Sequence, residues 1–73
     1  MATETIDARG LSCPQPILKV AAKAPSMNSG DMLTVKADCS TFPDDIKQWC
    51  DKTGKVLVSC NTSGDEHEAQ VKF

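Results

Sequence analysis

Apolar residues recur along this chain at two spacings that alternate in a fixed order, and that order leaves few folds open. Met32 to Ala37 places Leu33, Val35 and Ala37 on one side of an extended chain, the two-residue repeat of a half-buried strand. Ile17, Leu18, Val20, Ala21 and Ala24 fall instead mostly on one side of a 3.6-residue repeat, the pattern of an amphipathic helix. A second helical stretch puts Ile46, Trp49 and Cys50 on one face, with Gly54 where a helix would stop. Further strands are expected at Glu4 to Ala8, around Ile6, and at Lys55 to Cys60. A last, half-exposed strand sets His67, Ala69, Val71 and Phe73 against Glu68, Gln70 and Lys72. Turn chemistry separates these segments at Gly10, at Asn28 to Asp31 and at Asn61 to Asp65.

The prolines sharpen the boundaries. Pro14 and Pro16 suit the first turn of a helix, where amide hydrogens have no partner inside the helix, so they mark a beginning. Pro25 would remove a hydrogen bond deeper in, so the first helix is expected to end or kink near Ala24. Asp38 to Thr41 offers capping side chains, and Pro43, Asp44 and Asp45 follow where acids suit the positive end of a helix dipole. The resulting order is β-α-β-α-β-β. Strands one and two, joined through a helix, should run parallel with a right-handed crossover, while the last pair should form a hairpin. The expected fold is an α+β two-layer sandwich with a mixed four-stranded sheet and two helices on one face. With 73 residues the chain is expected to be a single domain, 1–73, near the lower limit at which a core holds without staples.

Composition removes several functions. The eight basic residues are scattered, the net charge is -2 and aromatics make up 4%, so no direct nucleic acid ligand is expected. No apolar run approaches the roughly 20 residues that span a bilayer, so no membrane partner is expected. Met1 to Arg9 is polar and carries acids before its first basic residue, the reverse of a secretory or mitochondrial leader, which makes cytoplasm the expected location. Four cysteines stand at positions 13, 39, 50 and 60, and without a leader they are expected to be reduced thiols and not a disulfide framework. They include no C-x-x-C pair, and the chain has one histidine, so no metal site is expected.

Cys13 is the residue to which the chemistry points. A thiolate is the sulfur nucleophile, so a working cysteine needs surroundings that favour its charged form. The start of a helix provides unpaired N–H groups and the positive end of the dipole, and Cys13 sits where the first helix should begin. The flanking prolines fix that turn, and a tight polar Ser12-Cys13-Pro14-Gln15-Pro16 segment is a poor place to bury a side chain. Arg9, in the preceding loop, is a candidate source of added positive charge. The competing reading is that Cys13 is a small core residue, as free cysteines often are.

The run Asp7-Ala8-Arg9-Gly10-Leu11-Ser12-Cys13-Pro14-Gln15-Pro16 closely resembles the signature of the TusA family, also called SirA-like proteins, whose mark is a C-P-x-P turn at the start of the first helix. The likeness continues through Gly30-Asp31 and through Asp38, Asp45, Ile46 and the Trp49-Cys50 pair. The resemblance implies a fold like the C-terminal domain of bacterial translation initiation factor three. It also implies a sulfur carrier that needs no cofactor: the cysteine accepts a persulfide sulfur from a cysteine desulfurase or rhodanese and relays it to an acceptor protein. Destinations in the family include tRNA thiolation, molybdenum cofactor biosynthesis and sulfur oxidation. On that basis Cys13 would bear the persulfide, with Gly10, Pro14 and Pro16 shaping its surroundings.

Two departures from the family pattern stand out. The position of Cys39 is more often acidic, and Pro25 interrupts what is usually a longer first helix. In a parallel β-α-β unit both strands end at the same sheet edge, so Cys39 should lie on the same side as Cys13 and is a candidate second thiol, resolving or sulfur-accepting. Cys50 reads as core packing, and Cys60 shares the alternation of Val56 and Val58 in the same role. His67 reads as a packing or surface residue rather than a base, and Asp65, Glu66 and Glu68 as a solvated acidic tip. Two other functions stay open: a non-catalytic interaction or regulatory module, and a thiol redox protein using Cys13 and Cys39. A carrier needs an exposed thiol, which a monomer supplies simply.

Overall fold

The computed structural model describes residues 2–13 and 15–73; Pro14, expected in the first helical turn, lies outside the described residues. Strand β1 (Thr3–Ala8) leads through a loop into helix α1 (Gln15–Lys23), which continues as a 3-10 turn over Ala24–Ser26. Strand β2 (Met32–Ala37), helix α2 (Phe42–Thr53) and strands β3 (Val56–Ser63) and β4 (Glu66–Lys72) follow. The element order matches the sequence pattern. Pro25 is absorbed in the first turn of the 3-10 segment, so the chain tightens there without a break. Gly54 ends α2 in the left-handed conformation, φ 74°, and Lys55 N–H closes the cap on the Cys50 carbonyl.

The sheet has the order β1-β2-β4-β3. β1 and β2 run parallel with Ile6 opposite Val35 and Ala8 opposite Ala37, so both strands end in step. β4 enters beside β2 antiparallel and pairs on its other side with β3, giving the mixed sheet expected for a β-α-β unit followed by a hairpin. The two helices touch each other and pack on one face of the sheet. Between them and the sheet lie Val20 from α1, Phe42, Ile46 and Cys50 from α2, Leu33, Val35 and Ala37 from β2, and Ala69 and Val71 from β4. Pro16 is also fully buried, so its ring fills the core as well as opening α1. The buried stripe of α1 is narrower than its apolar composition: Leu18, about 100° around the helix from Ile17, is 60% exposed.

β3 departs from simple alternation. Leu57 faces Val71 and Cys60 faces Ala69, while both Val58 and Ser59 span the single step to Gln70, a bulge that shifts the inward face by one residue. Cys60 therefore does not share a face with Val56 and Val58. Those valines are 57% and 51% exposed on the open side, and Cys60 packs with Leu57 against the core.

The Gly30–Asp31 turn ties the chain ends into the sheet. Gly30 N–H donates to the Phe73 carbonyl at 2.7 Å, and Phe73 N–H donates to the Asp31 carbonyl at 2.9 Å. The Asp31 carboxylate, 5% exposed, accepts the Asn28 and Ala2 N–H groups, each at 2.9 Å. Those bonds, Asn28 first, hold its carboxyl below the ordinary value of 3.8. A carboxyl depressed on folding adds stability that is complete above its unfolded pKa and is lost as pH falls through the folded one. Acidification below about 4 should therefore weaken the wild type more steeply than Asp31→Asn, as read by denaturation midpoints across pH; parallel curves would refute the assignment. Leu33, fully buried on a central strand, gives the core test: Leu33→Ala should lower unfolding free energy by about 2–5 kcal/mol in urea, and a loss under about 1 kcal/mol would contradict the packing described.

Candidate functional site

The in-step endings of β1 and β2 put the two turns that follow them side by side. Gly10, with φ 84°, turns the chain out of β1 and points its N–H at Asp38, just past β2, whose carboxylate oxygens accept it at 2.9 and 3.0 Å. This carboxylate joins the loop that carries Cys13 to the loop that carries Cys39. Cys13 lies two residues ahead of α1 in a turn closed by the Gln15 N–H on the Ser12 carbonyl at 2.8 Å. Cys39 and Thr41 lie ahead of α2, where the Phe42 N–H donates to the Cys39 carbonyl at 3.1 Å. The N-terminal ends of both helices thus open beside the same pair of sulfurs, and both dipoles favour negative charge there.

Cys13 and Cys39 are paired through their Sγ atoms, 26 residues apart in sequence and 5.7 Å apart between Cα atoms, within the usual disulfide range. The topology thus brings two of the four cysteines, expected as reduced thiols, close enough to bond to each other. The two sulfurs are not equivalent. Cys13 is exposed, whereas Cys39 is 6% exposed and belongs to the core.

Thr41 is the residue that sequence reasoning placed only as a cap. It occupies the N-cap position of α2, yet its hydroxyl makes no capping bond to the helix backbone. The hydroxyl lies 3.0 Å from Cys13 Sγ, 2.8 Å from Asp45 Oδ2 and 3.4 Å from Cys39 Sγ. One hydroxyl proton serves one acceptor at a time, so Thr41 divides its donation between the Cys13 sulfur and the carboxylate. Asp45 has the opposite effect, since its charge lies close to that sulfur and opposes a second negative charge. Cys13, Cys39 and Asp45 hold their donor atoms within 4.8 Å of one another. When the sulfurs are not joined, that trio offers two thiolates and a carboxylate to a soft divalent ion, a grouping that counting local motifs could not find.

The other candidates fall outside this cluster. The Arg9 guanidinium forms a double contact with Asp7, at 2.8 and 2.9 Å, and reaches Glu66 at 3.0 Å. Among the described residues none of its bonds goes to Cys13, so it fastens the loop to β4 in place of charging the turn. The Asp7 carboxyl is held well below the carboxylate range, chiefly by the hydrogen bond from the Arg9 side chain. His67, half-buried, stacks on Phe42 at 6.3 Å and shares a 2.8 Å hydrogen bond with the Thr62 hydroxyl. Cys50 is 2% exposed, and burial, with the charge of Asp51, pushes its thiol up to about 11. Burial also raises the Cys60 thiol. Both are poor thiolates at neutral pH.

Comparison with known proteins gives the same direction. The family model described as Sulfurtransferase TusA matches residues 4–72. A Neisseria meningitidis serogroup A protein named "Putative sulfur carrier protein" is 41% identical over 61 residues, 84% of this chain and 82% of that protein. A Halobacterium salinarum protein with the same style of name is 34% identical, over 88% of this chain and 79% of its own length. A longer Bacillus subtilis protein, so named too, is 30% identical over 88% of this chain and 35% of its own length.

The opposed actions of Thr41 and Asp45 can be measured in the reduced protein by the rate at which Cys13 is alkylated at neutral pH. Thr41→Val removes a donor to the thiolate and should slow that rate about threefold to tenfold. Asp45→Asn removes a nearby like charge and should quicken it about threefold. Changes in the same direction for both variants would contradict the geometry.

Proposed function

The chain belongs to the TusA sulfurtransferase family, and we propose that Cys13 is the residue on which it carries sulfur. The observation that carries this reading is the contrast among the four cysteines: Cys13 is exposed at the meeting point of two helix starts, while Cys39 and Cys50 are buried and Cys60 is half-buried. A carrier must be reached by a donor and then by an acceptor, and Cys13 is the sulfur that both can approach. Its thiolate attacks the outer sulfur of a donor persulfide; the new S–S bond forms at Cys13 and the donor leaves as a thiolate. An acceptor thiolate then attacks the carried sulfur and restores the Cys13 thiolate. The hydroxyl of Thr41, 3.0 Å from Cys13 Sγ, steadies the negative charge that this sulfur carries before loading and again after delivery.

The family implies a sulfur donor and an acceptor as partners. The donor is a persulfide protein of the cysteine desulfurase or rhodanese class, and tRNA thiolation, cofactor biosynthesis and sulfur oxidation are the routes the carried sulfur can join. A monomer with its carrier thiol exposed meets the needs of such a relay. Among the described residues no helix is long and apolar enough to cross a membrane. A thiol redox role is the second reading, and the pairing of Cys13 with Cys39 favours it. The two separate by mass. Incubation of the reduced protein with a cysteine desulfurase and cysteine should add about 32 Da, one sulfur atom. Cys13→Ser should abolish the gain and Cys50→Ser should leave it intact; equal uptake by Cys13→Ser would refute the assignment.

A further inference from the structure

We propose that Cys39 resolves the persulfide formed on Cys13, releasing the carried sulfur as hydrosulfide and leaving the Cys13–Cys39 disulfide; this rests on Cys13 being the sulfur-bearing residue. The difference in exposure is the starting point. A partner thiol reaches Cys13 at the surface, whereas Cys39, 6% exposed, is closed to outside reactants and meets only its immediate neighbours. Those include the Cys13 sulfur, with which it is paired, the Thr41 hydroxyl at 3.4 Å and the Asp45 carboxylate within 4.8 Å, and of these three only the sulfur can become an electrophile. A buried thiol whose one electrophilic neighbour is the carrier sulfur has one reaction open to it. The Cα separation of 5.7 Å already suits the product, so the backbone need not move.

The step balances without a further reactant. Cys39 sulfur attacks Cys13 Sγ, the inner sulfur of the persulfide. The Sγ–Sγ bond forms, the bond from Cys13 Sγ to the outer sulfur breaks, and its electron pair leaves with the outer sulfur. The proton of the Cys39 thiol ends on that sulfur, so a thiol and a persulfide anion become a disulfide and HS⁻. The carried sulfur gains two electrons and the two cysteine sulfurs together lose two. Thr41 lies within reach of both, 3.4 Å from Cys39 Sγ and 3.0 Å from Cys13 Sγ, and its hydroxyl takes up one proton as it gives its own. Attack falls on the inner sulfur because the outer one extends from an exposed side chain towards solvent, away from the core in which Cys39 sits.

Because both groups are held in one fold, the reaction is unimolecular and competes with transfer to an acceptor. An acceptor thiolate that arrives in time takes the outer sulfur; otherwise the sulfur leaves as hydrosulfide. The disulfide that remains closes Cys13 to further loading until a dithiol reductant exchanges with its exposed sulfur. The carrier thus gains a second activity, persulfide reduction, and a self-imposed stop.

The test loads the full-length reduced protein anaerobically with a cysteine desulfurase and cysteine, removes small molecules and follows intact mass and free hydrosulfide without added reductant. In the wild type the gain of about 32 Da should decay to a species about 2 Da lighter than the reduced chain, with about one equivalent of hydrosulfide per loaded chain. The decay should be first order and independent of protein concentration. Cys39→Ser and Cys39→Ala should hold the added sulfur about tenfold longer or more. A wild type that keeps its sulfur as long as these variants and releases no hydrosulfide overturns the inference, as does a decay that quickens with protein concentration. Either result leaves the carrier role standing. Failure of wild type and variants alike to gain the mass removes that role, and the inference with it. Should the variants not fold, the stoichiometry and order of the wild-type decay decide alone.

Discussion

The parallel pairing of β1 with β2 is the constraint from which the site follows. Because Ala8 and Ala37 are partners in register, both strands release the chain at one edge of the sheet, and the two segments that follow must start side by side. Each then enters a helix on the same face, so the positive ends of α1 and α2 open onto one small region of surface. The Asp38 carboxylate, bridging to the Gly10 N–H, fixes the separation of the two loops. Cys13 and Cys39 meet there, and nothing local to either segment brings them together. An antiparallel arrangement of the same strands would send one of those loops to the opposite edge.

Burial separates the four cysteines into different chemical roles. Burial in the core pushes the Cys50 thiol up to about 11, and Cys60 moves the same way, so each behaves as a small apolar residue. Cys13, lifted out of the core by its turn, faces solvent with the Thr41 hydroxyl beside it. Cys39 is buried like Cys50 but differs in its neighbour, since the sulfur it touches is the exposed one. Access is therefore what distinguishes the four sulfurs on this scaffold. On the proposed reading a donor selects Cys13 because it can reach it, and among the described residues Cys39 is the thiol placed to compete for what Cys13 holds.

The fold was legible in the sequence wherever periodicity and turn chemistry are local properties. Met32 to Ala37 alternates cleanly and forms β2 with those limits, Gly54 ends α2, and Pro25 marks the end of regular α1. The resemblance carried by the Cys13 turn is borne out by the family match over residues 4–72. What escaped depends on contacts between distant segments. The bulge at Val58 and Ser59 has no signature in its own residues and turned Cys60 towards the core, against the alternation it shares with Val56 and Val58. Arg9 stands four positions before Cys13, yet Glu66, 57 residues away, and Asp7 hold its guanidinium. Thr41 reads as a helix cap until the fold sets its hydroxyl beside two sulfurs and a carboxylate.

The claim that access governs the chemistry is tested most directly by site-resolved alkylation of the reduced native protein, with peptide mass analysis after short exposure to a maleimide at neutral pH. The account requires label to accumulate at Cys13 well ahead of Cys39, Cys50 and Cys60, and all four to react alike only once the protein is unfolded. Equal labelling of Cys13 and Cys39 in the native state, or faster labelling of Cys60, would contradict it.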